Sequence, residues 1–383
     1  MDFDLSEEQV ALQQVAREFL AERWPADRMR AALDAMPATI DDDVWKEIVS
    51  MGWLGVAAPE DVGGIEGNFV TAAVLAEEAG RGLLPGPFQS SLIAAIAVER
   101  SQDAGAREEL LGPILDGRLH VTIALDEPAG EWGPDAVSLV ATQRGDEFTL
   151  SGTKILVPDA ASADMLLVAA RTPHGPGLLR VPADAAGVSI EPMRRLDAQA
   201  ISEVVFDAVS VPEAALLGGA SNAESTLCQV WDVWVLLAAA DLLGVAGASL
   251  ETTAGYVSER IQFGRPIGTF QAVSHRLADC AVDVEIGRSL VYAAGLALDE
   301  GRDNASALAS AAKAWLGDAA VAASESALQL HGGVGFTWEY DVHLYLRRAR
   351  SGAATLGDAD FHRDRVASYM EREGVHSARE PRS

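Results

Sequence analysis

The chain has 383 residues, 49% of them hydrophobic, and carries 57 acidic against 29 basic residues for a net charge of −28. That length exceeds one ordinary core and predicts two or three domains, while the negative charge argues against nucleic acid or an anionic membrane surface as partner. No apolar run approaches the roughly twenty residues of a bilayer span, and the start Met1-Asp-Phe-Asp-Leu-Ser6 lacks the basic-then-apolar order of a secretory signal, so a cytoplasmic protein is expected.

In chain order, Ser6-Glu-Glu-Gln9 is a capping box, with Leu5 and Val10 placed as a staple. It predicts a helix through Leu12, Val15, Phe19 and Leu20 that ends at Trp24-Pro25. A second helix follows Ile40-Asp-Asp-Asp43 with Val44, Trp45, Ile48 and Val49. The turn-rich stretch Gly52–Gly64 leads to helices around Phe69–Glu78 and Ser90–Glu99, so residues 1–117 read as an all-helical domain. From about residue 118 the period changes to short β-branched runs: His120–Leu125, Val137–Thr142, Glu147–Leu150, Met165–Ala170, Gly177–Val181, Val188–Pro192 and Glu203–Val211. These predict an antiparallel barrel or sandwich over 118–222. Helices at about 226–261, 270–299, 305–330 and from Phe361 then predict a four-helix bundle over 223–383, giving an α+β chain with a polar tail after Glu373. Cys228 and Cys280 both lie in apolar helical surroundings and read as buried thiols without metal-ligand spacing.

Two stretches carry candidate chemistry. Gly264, Pro266 and Gly268 break the helical run at an elbow that brings together Arg260, Phe263 and Gln271. A guanidinium, an aromatic ring and an amide suit an anionic, partly aromatic ligand, although a helical hairpin with a structural Arg and a core Phe explains them equally well. The second stretch, Gln329-Leu-His-Gly-Gly-Val-Gly335, closes an alanine-rich helical run. A Gly-Gly-x-Gly at a helix end is by itself consistent with a simple C-cap.

Taken together, in this order, the two stretches resemble those of the acyl-CoA dehydrogenases, flavoproteins that desaturate acyl-CoA thioesters between the α and β carbons. The helix, β, helix order extends the resemblance over nearly the whole chain. It implies that Arg260, Phe263, Gln271, Gln329, Gly332 and Gly333 hold the adenosine and pyrophosphate of an FAD shared across a subunit interface. It also implies electron-transfer flavoprotein as the electron acceptor.

The chain departs from the family where the chemistry is done. The family's catalytic Glu occupies one of two positions, which hold Leu356 and Trp234 here, and neither accepts a proton. Family members carry Thr-Glu-Pro and Trp-Ile-Thr on the strands that touch the flavin, where this chain has Asp126-Glu-Pro128 and Leu156-Val-Pro158. An ionised Asp126 offers no donor and, beside a reduced flavin anion, costs on the order of a few kcal/mol. The resemblance is therefore to the base-lacking partner chain of heterotetrameric, steroid-CoA type acyl-CoA dehydrogenases, in which the companion chain supplies the Glu.

Three other readings remain open at this stage. A self-sufficient homotetramer would need an unusual base, with Asp241, Asp358 and Asp360 as candidates, although each also reads as a capping or bundle residue. A flavin monooxygenase or oxidase on the same fold needs no such base. A scaffold that binds acyl-CoA without chemistry is the last. His275 and His331 read as polar groups lining the cofactor groove, Trp231 and Trp234 as core or pocket wall, and the basic run Arg347–Arg350 as structural or interfacial.

Overall fold

The computed structural model describes residues 5–374. The expectations for the first four residues and for the rest of the polar tail lie outside that range. The helices are α1 (Glu7–Arg23), α2 (Ala26–Ala35), α3 (Asp42–Ser50), α4 (Phe69–Arg81), α5 (Phe88–Arg100), the short α6 (Ala104–Ala106) and α7 (Gly112–Leu115), then α8 (Gly219–Glu259), α9 (Gln271–Asp299), α10 (Ala305–His331), α11 (Val342–Ala354) and α12 (Ala359–Arg372). Between α7 and α8 lie β1 (Val121–Ala124), β2 (Ala141–Arg144), β3 (Glu147–Pro158), β4 (Met165–Thr172), β5 (Gly175–Pro182), β6 (Val188–Met193) and β7 (Ile201–Pro212). The hairpin β8 (Ile261–Gln262) and β9 (Arg265–Pro266) joins α8 to α9.

The chain forms two compact units, each assembled from separated segments. One comprises the residues through Leu20, Ala73–Leu83 and the chain from Val235 on; the other comprises Ala21–Ala72 and Leu84–Trp234.

The second unit contains strands β1–β7. Strands β2-β3-β7-β6 form an antiparallel sheet and β1-β4-β5 a smaller one. In the smaller sheet β1 pairs with β4 in parallel, a departure from the all-antiparallel expectation, because β1 leads away into β2 instead of turning back on β4. Alternate residues of both sheets meet in one core that includes Leu166, Val168 and Val181 from one and Phe148, Leu150, Val204 and Phe206 from the other. In β3 the register shifts between Lys154 and Val157, so Ile155 and Leu156 bulge; Leu156 takes a left-handed φ of 54°.

The first unit is helical. Here α10 packs against α9, α11 and α12, and the Ser249 hydroxyl of α8 meets that of Ser324 on α10 at 3.1 Å. Helix α11 is an element beyond the four expected, and the basic run Arg347–Arg350 lies within it. Helix α2, also missed, starts directly after Pro25, because a proline at a helix start costs no hydrogen bond. The predicted capping box is present in α1: the Ser6 amide donates to Gln9 Oε1 at 3.0 Å and the Gln9 amide to Ser6 Oγ at 3.2 Å.

Two expectations need correction. Helix α8 is apolar and long enough to cross a bilayer by length and composition, against the reading that no run is; 94% of that window is buried inside the protein, which makes it a core helix. Cys228 is exposed, because it lies on the solvent side of the first turns of α8, whereas Cys280 is buried as expected.

Buried charge ties the helical unit together. Asp241 of α8 accepts from Arg348 of α11 through two bonds, 2.9 and 2.7 Å, with both side chains nearly inaccessible. On α4, buried Glu77 accepts from Arg288 of α9 at 2.5 Å and from the Tyr292 hydroxyl at 2.9 Å. Removing one partner of such a pair strands the other in a low-dielectric interior. Arg348→Leu is expected to destabilise the chain by about 3–5 kcal/mol in urea unfolding, and adding Asp241→Leu to recover much of that loss.

Candidate functional site

The elbow forms because α8 stops at Glu259 and the chain reverses through a two-residue hairpin turn. Ile261 pairs with Pro266 and Gln262 with Arg265, leaving Phe263 at φ 54° and Gly264 at φ 81°. Positive φ at both central residues is what a tight hairpin of this twist requires, but for a bulky side chain it is strained. The ring it presents is 91% exposed. Phe270 lies edge-on to Phe263 at 6.1 Å and under the Arg265 guanidinium at 4.1 Å. Arg260 and Gln271, on either side of the hairpin, are also exposed.

The glycine loop lies next to this elbow. Tyr256, one turn before the end of α8, stacks on His331 at 4.2 Å with the rings within 18° of parallel, and Tyr340 meets Tyr256 edge-on at 5.7 Å. His331 is buried, with Nδ1 at 2.8 Å from the Ala327 carbonyl, and burial lowers its pKa. Gly332 takes φ 63° and ψ −141°, a conformation open to glycine alone. A Cβ on Gly332 or Gly333 would meet nothing within 4 Å, so this backbone faces open space. Gln329 is exposed beside it, as are Phe336 at 73% and Trp338 at 52%. The helical unit thus presents together all six residues expected to bind adenosine and pyrophosphate, with bare backbone and aromatic faces turned outward. Of the two histidines read as groove lining, His275 is exposed and His331 is a buried packing element.

The turn at Leu356, the first of the two positions expected to hold the base, is fixed by buried hydrogen bonds. Leu356 has a φ of 58° and is 2% exposed. Its carbonyl accepts from His362 Nε2 at 3.0 Å, and the buried Lys313 ammonium donates to the carbonyls of Ala353 and Gly357, each at 3.0 Å. Burial, with the nearby charges of Lys313 and Arg365, pushes His362 down to about 3, so its ring stays neutral and its Nε2–H can serve this carbonyl. The scaffold is complete, and the side chain it carries is a hydrocarbon.

The three fallback carboxylates all have structural partners. Asp241 is held by Arg348, Asp358 caps α12 by accepting from the Phe361 amide at 2.9 Å, and Asp360 pairs with Arg363 at 2.8 Å. At the second base position, Trp234 on α8 is buried.

In the β-unit, Asp126 and Glu127 are neighbours with opposite surroundings. Glu127 accepts from the Ser138 amide and hydroxyl, from the Leu139 amide at 3.0 Å and from the Lys154 ammonium at 2.6 Å. Burial pushes its carboxyl up, but the bonds from Lys154 and Ser138 outweigh that and hold it below the usual range. Oδ1 of Asp126 is buried and has no hydrogen-bond partner. Burial raises Asp126 to about 6, with Lys154 opposing and Glu127 adding to the shift. Sequence reasoning took this residue for a simple carboxylate, because burial is not written in the residue type.

A helical, a β-rich and a second helical segment in this order make the three-domain fold of an acyl-CoA dehydrogenase. Family models for the N-terminal, middle and C-terminal domains of acyl-CoA dehydrogenase match residues 6–118, 122–209 and 236–370, and the chain belongs to that family of FAD-dependent oxidoreductases. An acyl-CoA dehydrogenase of Bacillus subtilis is 30% identical, with 96% of this chain and 98% of that protein covered. Among solved structures, a chain of the Tcur3481-Tcur3483 steroid ACAD is 36% identical with a TM-score of 0.88, covering 96% of this chain and 99% of that one. The ChsE4-ChsE5 complex from Mycobacterium tuberculosis contains a chain 28% identical with a TM-score of 0.87, each covered over 100%.

A left-handed, largely exposed phenylalanine is kept at a cost to stability. Phe263→Gly is expected to raise the stability of the chain by up to about 1 kcal/mol, seen as a higher melting temperature. A loss of stability would mean that the ring packs more than its exposure shows.

Proposed function

We propose that this chain is the partner subunit of an α2β2 acyl-CoA dehydrogenase. It lends Arg260, Phe263, Gln271, Gln329, Gly332 and Gly333 to an FAD whose flavin lies in the companion chain. The observation that carries this reading is the contrast within one helical unit. The six residues of the lent half-site are turned outward, while the turn at the base position holds buried Leu356.

The residues fit the adenosine and pyrophosphate. Arg260 supplies positive charge where a protein of net charge −28 would otherwise repel a diphosphate. The side-chain-free backbone of Gly332 and Gly333 allows close approach, and Phe263 offers a face for stacking. FAD bound there would supply the acceptor for the hydride of the β carbon. The carboxylate that removes the α proton belongs to the companion chain, and electrons pass on to electron-transfer flavoprotein. The two solved relatives, one of them a steroid ACAD, are both two-component by name, which supports a heteromer and a steroid-type acyl-CoA as substrate class. Domains of 1–117, 118–222 and 223–383 and a cytoplasmic location belong to the same reading. A self-sufficient homotetramer is less well supported, since Asp241, Asp358 and Asp360 each serve a structural partner.

The test is the FAD retained by the purified two-chain complex. A charge-assisted bond to a diphosphate contributes about 1.5–3 kcal/mol, so Arg260→Gln is expected to weaken FAD binding by roughly 10- to 100-fold while the two chains still co-purify. Undiminished FAD in an Arg260→Gln, Gln329→Ala double variant would overturn the lent half-site.

A further inference from the structure

Of the 29 basic residues, 26 are arginine and three are lysine: Lys46, Lys154 and Lys313. The two kinds of cation differ in one chemical respect. A lysine ammonium can release a proton to become a nucleophilic amine, whereas a guanidinium stays protonated in proteins and does not attack. The acyl-CoA substrates of this family are thioesters, and a thioester carbonyl is open to attack by an amine. Each lysine that solvent reaches is therefore a place where substrate can acylate the protein.

Two of the three lysines are enclosed. Lys154 is 0% exposed and donates to the Leu125 carbonyl at 2.9 Å and to Glu127 at 2.6 Å. Burial lowers its pKa, so its protection comes from enclosure and not from its proton. Lys313 is also 0% exposed, bonded to the carbonyls of Ala353 and Gly357. Lys46, by contrast, lies exposed on α3. The carboxylates nearest it in sequence are taken by arginines: Asp43 by Arg23 and Arg28 at 3.2 Å each, and Glu47 by Arg23. Lys46 itself makes no ion pair among the described residues, so its amine is neither enclosed nor held by a carboxylate. The exposed cations of the elbow, Arg260 and Arg265, are guanidinium groups.

We propose that Lys46 is the site at which acyl-CoA thioesters acylate this chain, its two other lysine amines lying beyond their reach. Once the ammonium has lost a proton to solvent, the Lys46 amine adds to the thioester carbonyl. The C–N bond forms, the C–S bond breaks, and the CoA thiolate leaves and takes up the second proton of the amine. The products are an amide and free CoA thiol, and α3 loses one positive charge. The step needs no oxidant and no cofactor, so it stands apart from the half-site at the elbow.

The probe is butyryl-CoA, incubated at mildly alkaline pH with the full chain as purified. Neutral hydroxylamine then strips acyl groups from the exposed Cys228 thiol, and peptide mass mapping locates the amides that remain. A folded chain opens about one part in a thousand of the time or less, so Lys154 and Lys313 should label at least ~1,000-fold more slowly than Lys46. The expected result is a lysine amide at Lys46 alone in the folded protein, none at any lysine in folded Lys46→Arg, and amides at all three once wild type is unfolded in urea. Labelling of Lys154 or Lys313 in the folded chain at a rate near that of Lys46 overturns the proposal. So does a folded chain left unlabelled at Lys46 under conditions that label it when unfolded.

Discussion

The stacking of Tyr256 on His331 is the contact on which the rest of the candidate site depends. It joins the last turn of α8 to the last residue of α10, and so brings the elbow and the glycine loop side by side although they are far apart in sequence. The imidazole can do this because its Nδ1 is satisfied by the Ala327 carbonyl and burial keeps the ring neutral. From that fixed point the chain can leave α8 in a strained hairpin and α10 in a glycine-only turn. Each is held by packing behind it and open in front.

A left-handed backbone at Leu356 persists because Lys313 and His362 hold the carbonyls around it. In the β-unit the Ile155 amide holds the backbone of Asp126, and burial raises its carboxyl. Outward-facing residues at the elbow and glycine loop, together with an apolar side chain at Leu356, are what the proposed partnership with another chain rests on.

Much of this was legible in the residues themselves. The Ser6–Gln9 capping box, the period change near residue 118 and the glycine punctuation of the elbow are local signals, and each produced its element. The resemblance of two short motifs was enough for the family. Other features were not legible because they are properties of three-dimensional surroundings. Nothing local marks β1 as a parallel partner of β4, since parallel pairing joins distant segments. The exposure of Cys228 depends on which side of α8 meets solvent. Asp241 looked like a possible base until Arg348, distant in sequence, proved to be its partner. Asp126 looked like a plain anion until Glu127 was seen to take the donors that would have kept it ionised.

The most direct test of the central claim is the ratio of FAD to protein for the chain purified alone and then with a companion acyl-CoA dehydrogenase that carries the catalytic Glu. At neutral pH the account predicts a chain that is flavin-free alone, and a complex with one FAD per two chains whose activity disappears when the companion's Glu is replaced. One FAD per chain in the isolated protein, with reduction by an acyl-CoA, would contradict it.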